Sequence, residues 1–253
     1  MSPFFEGTTP LVVAHRGFAD GVPENTLDAF EKAVALGVDI VETDVHGSLD
    51  GEAIIAHDPD LSRVASLPQR VAELRLDQIR KINLGGASMP TLSEALHAFP
   101  HHRFSIDIKD VGAIEPTVKA IKAARAQGRV MLASFSPSRL LAVRRELGGS
   151  VVAGTAQQIG PAWLSHLLFF GSGVRRVLEG IDALFIPPKA YGVSLLTPRF
   201  IEMVNAAGVT IGVWTINDEA QMATLWSQGV RAVITDRSDL ALAVRARLAS
   251  PTP

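Results

Sequence analysis

The chain has 253 residues, 47% of them hydrophobic, so it is long enough for one large domain with a sizeable core. Its formal net charge of −2 argues against a nucleic-acid partner held by bulk positive charge. It contains no cysteine, which excludes disulfides, thiolate nucleophiles and zinc sites with cysteine ligands.

Membrane-spanning helices and signal peptides both leave a recognisable pattern in a sequence. No apolar run approaches the roughly 18 residues that a membrane-spanning helix needs. The first residues lack the basic and apolar segments of a signal peptide. We therefore expect a cytoplasmic protein. Secretion stays open if a signal peptide precedes the given sequence in the natural protein.

Short apolar runs typical of strands alternate along the chain with amphipathic stretches typical of helices. The predicted strands are 11–15, 39–45, 53–57, 103–109, 130–134, 150–155, 182–187, 209–215 and 231–235. The predicted helices are 25–36, 91–99, 115–127, 137–147, 161–170, 197–207 and 218–228. This alternation indicates a parallel sheet with outer helices. At this length a (β/α)₈ TIM barrel, forming one domain over 1–253, is the leading fold.

Nine predicted strands exceed the eight of such a barrel. No helix fits between 39–45 and 53–57, so these two cannot be successive parallel strands. Asp50-Gly51 between them is typical of a two-residue hairpin turn. In that register Asp44 faces His57, and paired residues share one face of the ribbon. The second strand is therefore predicted to be an arm that returns His57 to the barrel rim.

Residues 58–90 have no clear place in the barrel. They contain a short helical patch near 70–81 and a Gly85-Gly86 break. We expect a small insertion over the barrel mouth and not a second domain, because the segment holds too few apolar residues for a core of its own. Thr91-Leu92-Ser93-Glu94 is a capping-box pattern that restarts the regular helices, and Asn25 is the predicted N-cap of the first helix.

The candidate functional residues lie at predicted strand ends, and the carboxyl ends of barrel strands face the active site. Glu42 and Asp44 are two apart, as are Asp107 and Lys109, so each pair shares a face of its strand. The other candidates at this edge are His15, Arg16, Trp214, Asn217 and Thr235-Asp236.

These groups predict a phosphodiesterase site. Three carboxylates suit a hard divalent cation, Mg²⁺ or Ca²⁺, better than zinc; they are Glu42, Asp44 and Asp107. Such a cation would polarise a phosphoryl oxygen. Two cationic side chains would hold the remaining anionic oxygens; they are Arg16 and Lys109. Two imidazoles would act as general acid and base; they are His15 and His57.

The chain resembles the glycerophosphodiester phosphodiesterase family in a series of motifs that covers nearly its whole length. In chain order these are His15-Arg16-Gly17, Glu24-Asn25-Thr26, Glu42-x-Asp44, His57-Asp58, Trp214-Thr215-x-Asn217 and Thr235-Asp236. The resemblance implies a (β/α)₈ barrel, a catalytic histidine pair and a divalent cation, with Mn²⁺ also possible. It implies small-molecule glycerophosphodiester substrates.

The resemblance also implies a mechanism. One histidine deprotonates the neighbouring glycerol hydroxyl, which attacks phosphorus, and the other protonates the departing alkoxide. A cyclic phosphate forms and is then hydrolysed with the roles reversed. We assign His15 as the first base and His57 as the first acid, and the reverse assignment stays open. The family usually has glutamate where this chain has Asp107, so direct binding of the cation by Asp107 and binding through water both stay open.

Several alternatives remain at this stage. Asp107 and Lys109 could simply form an ion pair, and Arg16 could pair with Glu24. Trp214 could line the pocket or fill the barrel top. Asn217 could bind substrate or cap the helix at 218–228.

The activity has alternatives too. Related sphingomyelinase D-type enzymes have aspartate at the position of Asp107, which keeps a phospholipase D-like activity on larger lipids open. The apolar stretch 161–170 is either a buried helix face or a lip that contacts a membrane surface weakly. A non-catalytic barrel that binds phosphate esters is a lesser alternative. The sequence gives no indication of oligomeric state.

Overall fold

The computed structural model describes residues 2–7, 10–168, 171–190 and 192–249. The strands are β1 Leu11–Ala14, β2 Ile40–Gly47, β3 Ala53–Ile55, β4 Arg103–Ile108, β5 Val130–Ala133, β6 Val151–Val152, β7 Ala183–Ile186, β8 Lys189–Ala190, β9 Val193–Ser194, β10 Thr210–Val213 and β11 Ala232–Thr235. The helices are α1 Leu27–Leu36, α2 Ser62–Ala65, α3 Leu76–Ile79, α4 Leu92–Ala98, α5 Ile114–Ala123, α6 Pro137–Glu146, α7 Ala156–Leu167, α8 Gly171–Val177, α9 Pro198–Ala206, α10 Glu219–Ser227 and α11 Ser238–Ala249. Single 3₁₀ turns occur at Pro3–Phe5, Val71–Glu73 and Gln127–Arg129.

Eight of these strands pair in parallel, in the order β6-β5-β4-β2-β1-β11-β10-β7. The two ends of this order meet through a bridge between Ala153 and Ala183. There the amide of Gly154 donates to the carbonyl of Ala183 at 2.7 Å. The strands therefore form a nearly closed barrel with helices between them, which confirms the predicted (β/α)₈ fold.

Alternate residues along the barrel strands enter two apolar layers. Leu11 and Val13 belong to an inner cluster whose members come from strands around the ring and include Phe5. Val12 and Ala14 belong to the larger cluster between the sheet and the helices. Because side chains fill the barrel interior, space for a ligand is left at the mouth, where the carboxyl ends of the strands lie.

The predicted hairpin arm is present as β3, but its predicted register was wrong by one residue. β3 pairs antiparallel with β2 through Val45–Ile55, His46–Ile54 and Gly47–Ala53. The loop has three residues, 49–51, and Gly51 takes a left-handed φ of 80°. Because the loop is one residue longer than predicted, Asp44 faces Ala56 rather than His57. His57 therefore lies beyond the ladder and is positioned by other contacts.

The helices differ from the predictions at several places. α1 begins at Leu27 with Thr26 as its N-cap, so Asn25 is not the cap that was predicted. α8 and α11 were not predicted at all. The predicted helix 161–170 is part of α7, which starts five residues earlier at Ala156, and residues 169 and 170 lie outside the described residues.

Residues 58–90 pack along the hairpin arm. Their buried apolar side chains form a small cluster with Ile54 and Ala56; they are Leu61, Val71, Ile79, Leu84 and Met89. The amide of Leu49 in the hairpin loop donates to the carbonyl of Leu74 at 2.9 Å. The segment is thus attached to the arm beside His57, and its status as an insertion within a single domain stays a prediction. In the part of the chain that the structure describes, no helix is long and apolar enough to cross a bilayer.

Candidate active site

His15 is placed at the barrel mouth by the pairing of β1 with β11. Ala14 pairs with Thr235 in parallel register, so the next residue of each strand emerges at the same edge. His15 Nδ1 lies 2.7 Å from Oδ1 of Asp236. Burial disfavours the charged imidazole, but the hydrogen bond to Asp236 and the negative charge of Glu42 outweigh burial and raise the pKa of His15. A base of raised pKa, held in one orientation, is suited to accept a proton.

Asn217 holds the other side of Asp236. Its Nδ2 donates to Asp236 Oδ2 at 2.8 Å, and its Oδ1 accepts from Thr235 Oγ1 and from the Asp236 amide. The N-cap of α10 is Asp218, whose carboxylate accepts from the amide of Gln221. Asn217 is therefore not the helix cap, and it orients the partner of His15.

The three predicted acidic ligands lie on adjacent strands. Asp44 on β2 pairs in register with Asp107 on β4, and Glu42 lies two residues before Asp44 on the same face. All three are buried. Burial, reinforced by the charge of Asp44, raises the pKa of Glu42 to about 8. Burial also raises the pKa of Asp107. The protein therefore places three carboxyl groups where solvent cannot screen their charges, which disfavours ionising all of them together.

Lys109 supplies the nearest positive charge. Its Nζ lies 2.7 Å from a carboxylate oxygen of Asp44 and 2.7 Å from one of Asp107. Burial opposes the charged ammonium, yet both carboxylates together raise the pKa of Lys109. The expected alternative of an Asp107–Lys109 ion pair is thus present, and Lys109 additionally joins Asp44 to it.

Arg16 also contacts the acidic group. Its backbone amide donates to Glu42 Oε2 at 3.0 Å, and its φ of 54° is left-handed. Its Nη1 donates to Glu24 at 2.8 Å, which is the ion pair that the sequence left open, and its Nε lies 3.5 Å from Asp44 Oδ2. The guanidinium is therefore held beside the carboxylates.

Asn25 is a site residue to which the sequence analysis gave only the role of a helix cap. With a left-handed φ of 56°, it directs its amide into the barrel mouth. Nδ2 donates to Asp44 Oδ2 at 3.1 Å, and Oδ1 accepts from Thr43 Oγ1 at 2.8 Å. Asparagine tolerates this backbone conformation better than most residues. Its place in the Glu24-Asn25-Thr26 motif was the signal in the sequence that could have marked it as a site residue.

His57 is connected to the acidic group through a chain of ion pairs. Its Nδ1 lies 2.7 Å from Asp58 Oδ1, and Asp58 pairs with Arg63. Arg63 donates to Glu24 at 2.6 Å, the same carboxylate that binds Arg16. His57 also lines a small cleft together with Glu24 and Asn25. The arm therefore carries His57 to the side of the mouth where Asn25 contacts Asp44.

Two aromatic side chains form an apolar wall at the mouth. The rings of Trp214 and Phe135 meet edge to face, with centroids 6.3 Å apart. Lys109 Nζ lies 5.6 Å from the centroid of Phe135. Trp214 is half-buried and packs against the inner apolar cluster of the barrel, while Phe135 is 66% exposed, so this wall lies on top of the barrel core beside the charged residues. Phe135 was missed by the sequence analysis, although it lies only two residues after the end of β5.

The acidic group has the donor chemistry of a site for a hard divalent cation, but not its spacing. The Oδ1 atom of Asp107 is buried without a hydrogen-bond partner, and three buried carboxylates outnumber the one ammonium between them. Across the described ranges, no three His, Asp or Glu side chains lie close enough together to enclose an ion, and Lys109 bridges two of the carboxylates. The chemistry of the donors thus suits Mg²⁺ or Ca²⁺, with the ammonium partly compensating the charge.

The protein is thus a (β/α)₈ barrel whose mouth carries imidazole, carboxylate and cationic side chains. The model of the glycerophosphoryl diester phosphodiesterase family matches residues 15–240. A Mycobacterium tuberculosis protein named "Probable glycerophosphodiester phosphodiesterase 2" is 37% identical over 91% of this chain and 88% of its own length. A Caldanaerobacter subterraneus glycerophosphodiester phosphodiesterase is 28% identical over 89% of this chain and 93% of its own.

Solved structures agree with this family. An Oleispira antarctica phosphodiesterase in complex with the product sn-glycerol-3-phosphate superposes with a TM-score of 0.79 at 25% identity, covering 93% of this chain and 96% of that one. The chain belongs to the glycerophosphoryl diester phosphodiesterase family. It is therefore a phosphoric diester hydrolase that acts on glycerophosphodiesters.

Proposed function

We propose that this enzyme hydrolyses glycerophosphodiesters such as glycerophosphocholine and glycerophosphoethanolamine to glycerol 3-phosphate and an alcohol. Catalysis would use the two histidines and one divalent cation, Mg²⁺ or Ca²⁺, with Mn²⁺ as an alternative. The observation that carries this proposal is His15, bonded to Asp236 at 2.7 Å beside three buried carboxylates. The product bound to the Oleispira antarctica relative supports the choice of substrate.

His15 is the proposed first base. When neutral, its Nδ1–H donates to Asp236, which leaves Nε2 to accept the proton of the glycerol hydroxyl next to the phosphate. The raised pKa of His15 strengthens it as a proton acceptor. The hydroxyl oxygen then attacks phosphorus, and a cyclic phosphate forms as the alcohol leaves.

His57 is the proposed first acid. Asp58 holds its Nδ1, so Nε2 can donate a proton to the departing alkoxide. In the second half of the reaction His57 deprotonates water, which opens the cyclic phosphate, and His15 returns its proton to the glycerol oxygen. The net reaction adds one water to the diester and leaves both histidines as they began.

Positive charge holds the phosphate. The guanidinium of Arg16 and the ammonium of Lys109 would bind its anionic oxygens. When bound by Glu42, Asp44 and Asp107, a divalent cation would supply electrostatic stabilisation of the charge that develops on phosphate. The wall of Phe135 and Trp214 would contact the carbon atoms of the substrate.

The test measures release of glycerol 3-phosphate from glycerophosphocholine and glycerophosphoethanolamine. His15→Ala and His57→Ala should each reduce kcat by about 100-fold or more. His97→Ala is the matched control, because His97 lies exposed on α4 and its ring contacts the carbonyl of Ser93 in the same helix rather than any residue of the proposed site. A chelator should abolish the activity, and Mg²⁺, Ca²⁺ or Mn²⁺ should restore it. The proposal is contradicted if the parent enzyme cleaves neither diester, or if His15→Ala keeps full activity.

A second candidate is a lysophospholipase D-like reaction on larger lipids. Three leucines on and just after α7 are more than half exposed: Leu164, Leu167 and Leu168. A Rattus norvegicus relative named "Lysophospholipase D GDPD1" is 22% identical over 88% of this chain. If these leucines contact a lipid surface, replacing all three with glutamine should remove any preference for micellar lysophosphatidylcholine over glycerophosphocholine. An unchanged preference would contradict this candidate.

A further inference from the structure

The position of His57 is set after the β-ladder has ended. β3 stops at Ile55, and the next bond to β2 is from the Ala56 amide to the Asp44 carbonyl, 3.0 Å long. His57 follows with its side chain about one-third exposed. The ladder therefore leaves the backbone of His57 free to move unless another group holds its peptide.

His46 makes that contact. It lies on β2 two residues after Asp44, on the same face of the strand, and is 6% exposed. Its Nε2 lies 3.2 Å from the carbonyl oxygen of His57. A carbonyl oxygen only accepts, so the ring donates this bond. A buried imidazole thus holds the peptide of the proposed acid directly.

Asp110 fixes the ring of His46 from the other side. Its Oδ2 lies 2.6 Å from His46 Nδ1, and its Oδ1 accepts from the amide of Ala113 at 2.8 Å. The amide of Gly47 lies 3.3 Å from Oδ2. A Cβ on Gly47 would come within 2.4 Å of the Gly112 backbone, so only glycine lets these segments approach. The loop after β4 is thereby docked on the hairpin arm.

We propose that His46 and Asp110 are positioning residues for the hydrolysis of the diester. They connect the loop after β4, which follows Lys109, to the peptide of His57, and so fix the second imidazole relative to the acidic strands. Neither touches the substrate in this assignment. The inference rests on the proposed role of His57, and it extends that role to two residues outside the set of acids, bases and ligands.

The test compares three variants with the parent enzyme. His46→Leu puts an apolar side chain of similar size in place of the imidazole and removes both bonds. His46→Gln keeps an amide donor at about the distance of Nε2 from Cβ. Ile54→Val is the matched control, because Ile54 pairs with His46 across the ribbon and the loss of one methylene leaves the polar contacts of His46 in place.

Two measurements are made on each variant. The first is kcat and KM for glycerophosphocholine. Because misplacing a catalytic group by about 1 Å can cost roughly 100-fold, His46→Leu should lower kcat about 10- to 100-fold and leave KM nearly unchanged. His46→Gln should restore most of kcat, and Ile54→Val should match the parent. The second is amide hydrogen exchange over 56–63, which should accelerate in His46→Leu and not in Ile54→Val.

Each result decides the proposal. A parent-like kcat in His46→Leu, an equal loss in His46→Gln, or an equal loss in Ile54→Val overturns it. Unchanged exchange over 56–63 in His46→Leu overturns it independently of activity. If the parent enzyme cleaves no glycerophosphodiester, the proposed function fails. The hydrogen-exchange comparison still shows whether the bond from His46 to the carbonyl of His57 holds that peptide in place.

Discussion

Removing the ammonium of Lys109 should expose how strongly the acidic strands repel each other. Asp44 and Asp107 have side chains only 3% and 11% exposed, and each lies 2.7 Å from Lys109 Nζ. Lys109→Met leaves both carboxylates buried without this partner. Breaking a buried ion pair on one side costs about 3–5 kcal/mol. For a chain of this length we expect a fall in Tm of roughly 6–20 °C with divalent cations chelated.

A bound cation should reverse part of this loss. Divalent charge between the carboxylates would replace the missing ammonium, so Mg²⁺ should raise the Tm of Lys109→Met more than that of the parent. The assay is thermal unfolding by circular dichroism, with chelator and with Mg²⁺. Lys81→Met is the control, because Lys81 is 78% exposed and its substitution should change stability by less than about 0.5 kcal/mol.

Two results would refute the reasoning. If Lys109→Met unfolds within about 1 kcal/mol of Lys81→Met in chelator, Lys109 does not compensate the buried charge. If Mg²⁺ raises the Tm of both variants equally, the three carboxylates are not where the cation binds, and the ligand assignment fails.

Three further predictions concern single side chains at the mouth. Asp236→Asn removes the charge that helps to raise the pKa of His15. The acidic limb of the pH profile of kcat/KM should therefore move to lower pH, and kcat should fall about tenfold or more. An acidic limb that stays in place contradicts the role of His15 as the base. Gly17→Ala places a Cβ 2.8 Å from the backbone of Ala29 at a φ of 83°, so urea unfolding should show a loss of about 1–3 kcal/mol, and a parent-like midpoint argues against this packing. Glu42→Gln removes a carboxyl group whose pKa is raised to about 8, which means that its burial destabilises the fold at neutral pH. In chelator the Tm of this variant should therefore equal or exceed that of the parent, while activity with Mg²⁺ falls. A lower Tm would show that the buried carboxyl group does not destabilise the folded protein.

The sequence alone was sufficient for the architecture of the barrel. Strand-like runs and helical runs recur with different periods, and each period is a local property that needs no knowledge of distant residues. The carboxyl ends of parallel strands share an edge, so His15, Asp44 and Asp107 could be placed at one mouth before any coordinates were known. The surplus strand was correctly identified as an arm, because no helix fits before it.

The register of that arm required the tertiary structure. Asp50-Gly51 is compatible with a two-residue turn and with a three-residue loop that places Gly51 at positive φ. The observed loop is the longer one, closed by the Ser48 amide on the Glu52 carbonyl. A difference of one residue moves His57 out of the ladder, and the sequence pattern carries too little information to exclude it.

The sequence by itself thus determined the fold and the types of chemical group at the mouth. The reason is that hydrophobic periodicity and the ends of strands depend on residues that are close together in the chain. Only the tertiary structure decided which groups contact each other: Lys109 with both aspartates, Asn25 with Asp44, and His46 with the peptide of His57. Such partners are far apart along the chain, and several acceptors compete for each donor. The choice among them depends on distances of a few ångströms that only the packed barrel fixes.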